Sequence, residues 1–228
     1  IIAIILCVIN IIFCLRHSYS NFLTLTCSYL CVVLFITFLP FIRSKHEYPL
    51  ILHYLLYNFP FVIPLFLFRD ITFFSFDLWS FILSIMIGWL FAIINLKNKK
   101  KPTFEVTLSR SEQLINISYF FYSILSEEIY FRAYLISHLK EITNNFFIII
   151  LLSSFLFTYS HYLNRWANIT FTPKIYFFHS ILGIILSIFY YNTGSILYCI
   201  IIHFCFNIQD FLNEIHMLSH NQTSLFED

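Results

Sequence analysis

The chain has 228 residues, of which 59% are hydrophobic and only 11% are charged, and its formal net charge is +1. A soluble domain usually carries about 25% charged residues, so this composition argues against a soluble globular domain, and the small net charge argues against a nucleic-acid partner. Runs of about 17 to 20 apolar residues have the length that crosses a bilayer as a helix, and the mean hydropathy is +0.79. The sequence therefore predicts an all-α, polytopic transmembrane helix bundle that contacts membrane lipid.

About eight spans are predicted in chain order, near residues 1–15, 21–42, 49–68, 78–96, 114–137, 145–163, 175–191 and 196–212. The clearest boundary, Asn98-Lys99-Lys100-Lys101-Pro102, follows the fourth span. We therefore divide the chain into spans without a catalytic motif (1–112), a core with polar motifs (113–212) and a polar, loosely ordered tail (213–228). A tight turn is expected at Asn192–Ser195, because Gly and Asn tolerate the positive φ that such turns require.

Three charged residues interrupt the fifth span: Glu127, Glu128 and Arg132. Charges at membrane depth are costly unless they are paired or hydrated, so they are candidate functional residues. Glu128 and Arg132 are four residues apart with the acid first, which favours an ion pair that fixes the helix. Glu127 points about 100° away and has no local partner. It is either a general acid or base or a protonated acid hydrogen-bonded to another helix.

Further polar residues lie in the later spans. His161 is near the end of the sixth span, where a single histidine is more often an interfacial residue than a functional one. His203 and Asn207 are four residues apart in the eighth span and share one helix face. Such a pair either forms hydrogen bonds between helices or, as two aimed donors, stabilises an oxyanion. His53 and His179 have no acidic residue at helical spacing, and we interpret both as structural.

The three stretches follow one another as Glu-Glu-x-x-x-Arg, Phe-x-x-x-His and His-x-x-x-Asn, each on its own hydrophobic span. This order resembles the CPBP family of CAAX proteases and bacteriocin-processing membrane proteins, also called the Abi family or type II CAAX prenyl endopeptidases. The likeness covers about residues 114–212 and includes Thr193–Leu197 ahead of His203. Ala133 departs from the pattern, because many members have Gly after the Arg.

The resemblance implies an intramembrane, glutamate-dependent endopeptidase. In it, Glu127 would activate the attacking water with help from His161, while His203 and Asn207 would stabilise the oxyanion. Glu128 and Arg132 would support the site. The substrate would be a peptide or a prenylated protein: a CAAX tail, a bacteriocin leader and a signalling peptide are all open. A multi-pass protein of the bacterial plasma membrane is expected, with the endoplasmic reticulum as the alternative, and the oligomeric state is left open.

Other interpretations remain. No cofactor is expected. Zinc is an alternative, with Glu127, His161 and His203 as ligands and a fourth position for water. The sequence has no His-Glu-x-x-His helix, which argues against zinc. A non-proteolytic relative acting in bacteriocin immunity or lipoprotein modification is a second alternative, since fold does not fix function. The intact set of four polar residues favours catalysis. A transporter is disfavoured, because no pair of spans shows repeated interruptions.

Overall fold

The computed structural model describes residues 21–45, 49–67, 74–98, 109–163 and 171–223, and every regular element in these ranges is helical. The first predicted span, 1–15, lies outside them. The helices are α1 (Asn21–Lys45), α2 (Leu50–Leu67), α3 (Leu78–Asn98), α4 (Arg110–Glu128), a π-helical segment (Ile129–Tyr134), α5 (Leu135–Ile142), α6 (Phe146–Leu163), α7 (Pro173–Thr193), α8 (Ile196–Phe206) and α9 (Ile208–Thr223). The all-α prediction is therefore confirmed for the described residues.

Two of these helices, α6 and α7, are long and apolar enough to cross a membrane. The α8–α9 pair, bent by 61°, is a third candidate if Ile196–Phe206 and Ile208–Ile215 form one broken span. Shorter apolar stretches occur in α1, α2 and α3. The described residues thus support an integral membrane protein with two or three candidate spans, and the predicted number of about eight is not confirmed.

The π-helical segment lies at the centre of the molecule. All six of its residues are buried, and it packs against α2, α6, α7 and α8 as well as the helices that it joins, α4 and α5. Large apolar side chains on the outside of the bundle are exposed instead, such as Trp79, Trp89 and Phe155. An apolar exterior is what lipid requires, and the two charged residues Glu128 and Arg132 of the fifth predicted span are fully buried inside it.

Glycine allows the closest helix approaches. A Cβ on Gly183 of α7 would lie 3.2 Å from the Cα of Ser154 on α6, and a Cβ on Gly88 of α3 would lie 2.9 Å from the Cys205 side chain on α8. Small residues at such crossings let helix backbones approach where lipid supplies no hydrophobic driving force between helices. The α6–α7 and α3–α8 pairs, which position His161, His179 and His203, are therefore held by close packing.

Helix ends follow the local sequence. Ser109 and Glu112 form a reciprocal capping box at the start of α4, which satisfies two backbone donors. Helix α7 begins with Pro173 in its first turn and ends at Gly194, whose φ of 66° is left-handed and whose N–H donates to Tyr190 O. The expected tight turn at Asn192–Ser195 is therefore confirmed, with glycine at the position that needs positive φ.

Two features near the C-terminus differ in detail from the sequence expectation. The eighth predicted span, 196–212, is broken at Asn207, whose φ of −95° and ψ of 8° end α8 before α9 begins. Asparagine is a poor helix former because its amide competes for backbone hydrogen bonds, and no Pro or Gly marks the break. The polar segment from Asn213 is not loose where it is described, since α9 continues to Thr223.

Candidate active site

Glu127 and Glu128 are the last two residues of α4 and directly precede the π-helical segment. In that segment the wider turn is visible in the bond from the Leu135 N–H to Tyr130 O, five residues back. Such π-helical insertions are rare and occur frequently at functional sites. The two carboxylates and Arg132 therefore lie where the backbone itself departs from regular α-helix.

Glu128 and Arg132 form the predicted ion pair. Arg132 Nε is 3.2 Å from Glu128 Oε2, and both side chains are fully buried. The guanidinium carbon also lies 4.7 Å from the centre of the Phe157 ring, within the range of a cation–π contact. The Nη1 and Nη2 nitrogens of Arg132 have no hydrogen-bond partner among the described residues. Glu128 is therefore the carboxylate that compensates this buried charge.

Glu128 has a second partner that the sequence did not indicate. The Nδ1–H of His203, on α8, donates to Glu128 Oε1 across 2.7 Å. A carboxylate that accepts from one imidazole nitrogen fixes the ring orientation and leaves the other nitrogen, Nε2, for chemistry. No spacing rule connects two residues 75 positions apart, so this contact becomes visible only when α4 and α8 are packed together.

Glu127 faces His161 of α6. The Oε2 of Glu127 lies 3.7 Å from His161 Nε2, and the side chains are 15% and 12% exposed respectively. Ser123 donates a hydrogen bond to the other oxygen, Oε1, across 3.3 Å. His161 Nδ1 lies 3.0 Å from Phe157 O, and a carbonyl can only accept, so the proton is on Nδ1. A neutral His161 therefore presents an unprotonated Nε2 towards Glu127.

A cavity of about 510 Å³ brings the four predicted catalytic residues together: Glu127, His161, His203 and Asn207 all line it. Glu128 and Arg132 do not line it and are buried behind it. The arrangement is therefore a polar wall of four residues backed by an ion pair. The structure gives this geometry, and the role of each residue remains a prediction.

The same cavity has polar residues that sequence reasoning did not assign to a site. They include His53, Tyr54, Tyr57, Asn116, Tyr119, His179, Asp210 and Glu214. Two of them, His53 and His179, were interpreted as structural because no acid lies at helical spacing. Their position on the cavity wall depends on which face of each helix points inwards. The sequence gives little indication of that face, because the helices are weakly amphipathic.

The zinc alternative, with Glu127, His161 and His203 as ligands, stays a prediction. Within the described residues, no three His, Cys, Asp or Glu side chains are grouped in a way that could hold a metal ion. Glu127, His161 and His203 line one cavity, and the Nδ1 bonds of the two histidines to Phe157 O and Glu128 leave each Nε2 as the nitrogen that can bind a ligand. We derive no step through a metal.

Fold and site together define a helical membrane protein with a buried acid–histidine cavity. The family model described as Type II CAAX prenyl endopeptidase Rce1-like matches residues 110–209, so the predicted resemblance to this family is confirmed over that part of the chain. The match begins at the first residue of α4 and includes all six predicted site residues. At the level of the family it indicates a CAAX-type intramembrane protease. No curated protein and no solved structure matches the chain.

Proposed function

We propose that the chain is an intramembrane endopeptidase that hydrolyses a peptide bond with a water molecule activated by Glu127. The observation that carries the proposal is the convergence of Glu127, His161, His203 and Asn207 on one cavity. A hydrolase needs acceptors for the protons of water and donors for the developing oxyanion in the same space. The cavity offers both kinds of group on facing helices.

Water activation is assigned to Glu127 and His161. Their facing atoms, Oε2 and Nε2, are 3.7 Å apart, which is too long for a direct hydrogen bond. Both atoms are acceptors when Glu127 is ionised and His161 is neutral, so a water molecule between them can donate to each. Glu127 then takes the proton as the water oxygen attacks the scissile carbonyl carbon, and His161 holds the water in line.

Oxyanion stabilisation is assigned to His203 and Asn207. Because His203 Nδ1–H donates to Glu128, His203 can donate to an oxyanion only from Nε2, and the ring must then carry both protons. The Glu128 carboxylate is placed to balance that charge. Asn207 lies at the break between α8 and α9, one helical turn beyond His203, and supplies the second donor from its amide.

Collapse of the tetrahedral intermediate completes the reaction. The proton that Glu127 removed from water passes to the leaving nitrogen, the C–N bond breaks, and the electron pair of that bond stays on the amine. Glu127 is thereby ionised again, and the new carboxylic acid passes its remaining proton to the released amine and leaves the donors of His203 and Asn207 as a carboxylate. The scheme uses only groups of this chain and one water molecule, and we propose no cofactor.

The proposed substrate is a prenylated CAAX protein or another peptide that reaches the cavity from the membrane, and the proposed location is a bacterial plasma membrane. Aromatic side chains occupy much of the cavity wall, among them Phe61, Phe171 and Phe206. Such a wall accommodates an apolar segment while a few polar groups orient the reacting bond. Members of the matched family are described as prenyl endopeptidases, which supports a lipid-modified peptide as the first substrate to test.

The test is product identification with the purified full chain in proteoliposomes. A farnesylated CAAX peptide, the same peptide without the farnesyl group and an unrelated apolar peptide are incubated with wild type and with Asn207→Ala, and products are identified by mass spectrometry. We expect cleavage of at least one peptide, and a fall of about 100-fold to 1,000-fold in Asn207→Ala, the usual effect of losing one oxyanion donor. Equal cleavage by both proteins would contradict the proposed site. Absence of cleavage with intact peptide binding would favour a non-proteolytic role.

A further inference from the structure

His179 is a buried histidine on the cavity wall that the proposed reaction does not use. It lies on α7, only 7% of it is exposed, and the motifs that carry the family resemblance do not include it. Its ring centre is 4.5 Å from that of His161. A ligand bound beside Glu127 and His161 would therefore lie within reach of the His179 ring.

The hydrogen bonding of His179 fixes which atom it can offer. Nδ1 lies 2.8 Å from Ile175 O, and because the carbonyl must accept, the proton is on Nδ1. In the neutral ring Nε2 is then unprotonated and can only accept. Nε2 is on the opposite side of the ring from the helix backbone, and the residue lines the cavity. His179 therefore contributes an acceptor, and not a donor, to the cavity.

The surroundings of this acceptor are apolar. The rings of Phe171 and Phe206 have their centres 5.5 Å and 5.3 Å from that of His179. A polar group bound among these rings loses contact with water and needs a partner from the protein. In such an apolar environment, a ligand that donates a hydrogen bond to Nε2 should bind more tightly than one that cannot donate.

We propose that His179 is a substrate-binding residue that accepts a hydrogen bond from a backbone N–H of the bound peptide through Nε2. This inference rests on the proposed function, because it takes the ligand to be a peptide. A peptide in the cavity must satisfy its N–H groups as well as its carbonyls. His203 and Asn207 serve the scissile carbonyl, and Glu127 and His161 serve the water. His179, beside His161, offers an acceptor for a neighbouring peptide N–H close to the reacting groups.

Asparagine and glutamine separate this role from a structural one. In His179→Asn the amide nitrogen falls near the position of Nδ1, so the bond to Ile175 O can persist while the acceptor in the cavity is lost. In His179→Gln the amide oxygen falls near the position of Nε2, so the acceptor is kept. A structural role predicts that Gln is the worse replacement, whereas substrate binding predicts that Asn is.

The chain offers a matched control in His138 of α5. It is 8% exposed, its Nδ1 lies 3.1 Å from Tyr134 O one turn back, and it does not line the cavity. His138→Asn and His138→Gln therefore reproduce the same chemical changes in an equally buried histidine away from the site. Any effect common to the His138 and His179 variants reports on folding and not on the ligand.

The experiment measures the affinity of a fluorescent farnesylated CAAX peptide for the full chain in lipid nanodiscs, in a Glu127→Gln background so that the peptide is not consumed. We expect His179→Asn to weaken binding about fivefold to tenfold, the value of one hydrogen bond of roughly 1 kcal/mol. His179→Gln and both His138 variants should remain within about twofold. A parallel series carries one backbone N-methyl group at each peptide position. At one position methylation should weaken binding to the Gln variant but not to the Asn variant.

Binding of His179→Asn equal to that of the reference protein would overturn the inference, as would N-methyl effects that are the same in both variants. Lower affinity of Gln than of Asn would assign His179 a structural role instead. The outcome for the proposed function is read separately: hydrolysis that persists in the Glu127→Gln background would refute the glutamate mechanism, and the His179 variants are then compared by their initial binding, before the peptide is consumed. No saturable peptide binding by the reference protein would refute both.

Discussion

Glu128 offers the sharpest structural prediction, because one fully buried carboxylate serves two partners on different helices. Glu128→Gln keeps the shape of the side chain but removes its charge. Arg132 would then be buried without its counter-charge, since its Nη nitrogens have no other hydrogen-bond partner among the described residues. Removing one member of a buried ion pair costs about 3–5 kcal/mol. We expect a loss of stability of this size, and with it a lower level of inserted protein.

Glu127→Gln is the matched comparison. Glu127 is partly exposed to the cavity, and its contacts are a 3.3 Å hydrogen bond from Ser123 and the 3.7 Å approach of His161. A glutamine can keep the first of these, so we expect a change in stability of no more than about 1 kcal/mol. The two adjacent substitutions are chemically identical, and their difference therefore isolates the effect of the buried pair.

The assay is reversible unfolding of the purified variants in mixed micelles, followed by circular dichroism. A double variant, Glu128→Gln with Arg132→Met, removes both charges, and we expect it to recover most of the lost stability because no uncompensated charge remains. Equal stability of Glu128→Gln and Glu127→Gln would refute the reasoning. Failure of the double variant to exceed Glu128→Gln in stability would show that the charge pair is not the cause.

Two further predictions concern the scaffold. Gly183→Leu should lower the free energy of unfolding by about 1–3 kcal/mol, because even a Cβ at this position would lie 3.2 Å from Ser154. Gly183→Ala should lower it by less. Equal losses in the two variants would contradict the close approach of α6 and α7. At the start of α3, the hydrogen bonds that Asp77 accepts from the backbone and side chain of Ser80 lower the pKa of its carboxyl. The ionised form therefore stabilises the helix above the unfolded pKa, and this contribution is lost as pH falls through the folded pKa, below about pH 4. Asp77→Ala should lower the melting temperature more at pH 7 than at pH 3, and an equal difference at the two pH values would refute the cap.

Local spacing predicted the parts of the site that one helix controls. Glu128 and Arg132 form a pair because residues four apart share a helix face whatever else surrounds them. The turn at Gly194 was predictable for a similar reason, since positive φ is a property of one residue. The separation of Glu127 from the pair also followed from helical geometry alone. In each case the information lies within a few residues of sequence.

Contacts between helices could not be predicted in this way. The bond from His203 to Glu128 and the position of His179 beside His161 both depend on how four helices rotate about their axes. In a soluble protein an apolar stripe would indicate the buried face, but α6, α7 and α8 are apolar around most of their surface and α4 has no clear stripe, so this signal is missing. The order of the motifs predicted that the site residues lie close together, but it did not predict which of their atoms are in contact.

Backbone irregularities were the third feature that the sequence concealed. The π-helical segment Ile129–Tyr134 contains no Gly or Pro, and Asn207 breaks the last predicted span without either residue. Both irregularities lie directly beside the predicted catalytic groups. Departures from regular structure are maintained by surrounding packing and concentrate at functional sites, so they depend on tertiary contacts that single-sequence patterns do not contain.

The central claim is that Glu127 activates the water that cleaves the peptide bond. The most direct test is the rate of peptide cleavage by Glu127→Gln, measured in proteoliposomes beside wild type on the best substrate of the panel. Glutamine keeps the size and the hydrogen bond from Ser123 but cannot take a proton, so we expect the rate to fall at least 100-fold, with peptide affinity within about threefold of wild type. A stably inserted Glu127→Gln protein that cleaves at the wild-type rate would contradict the account.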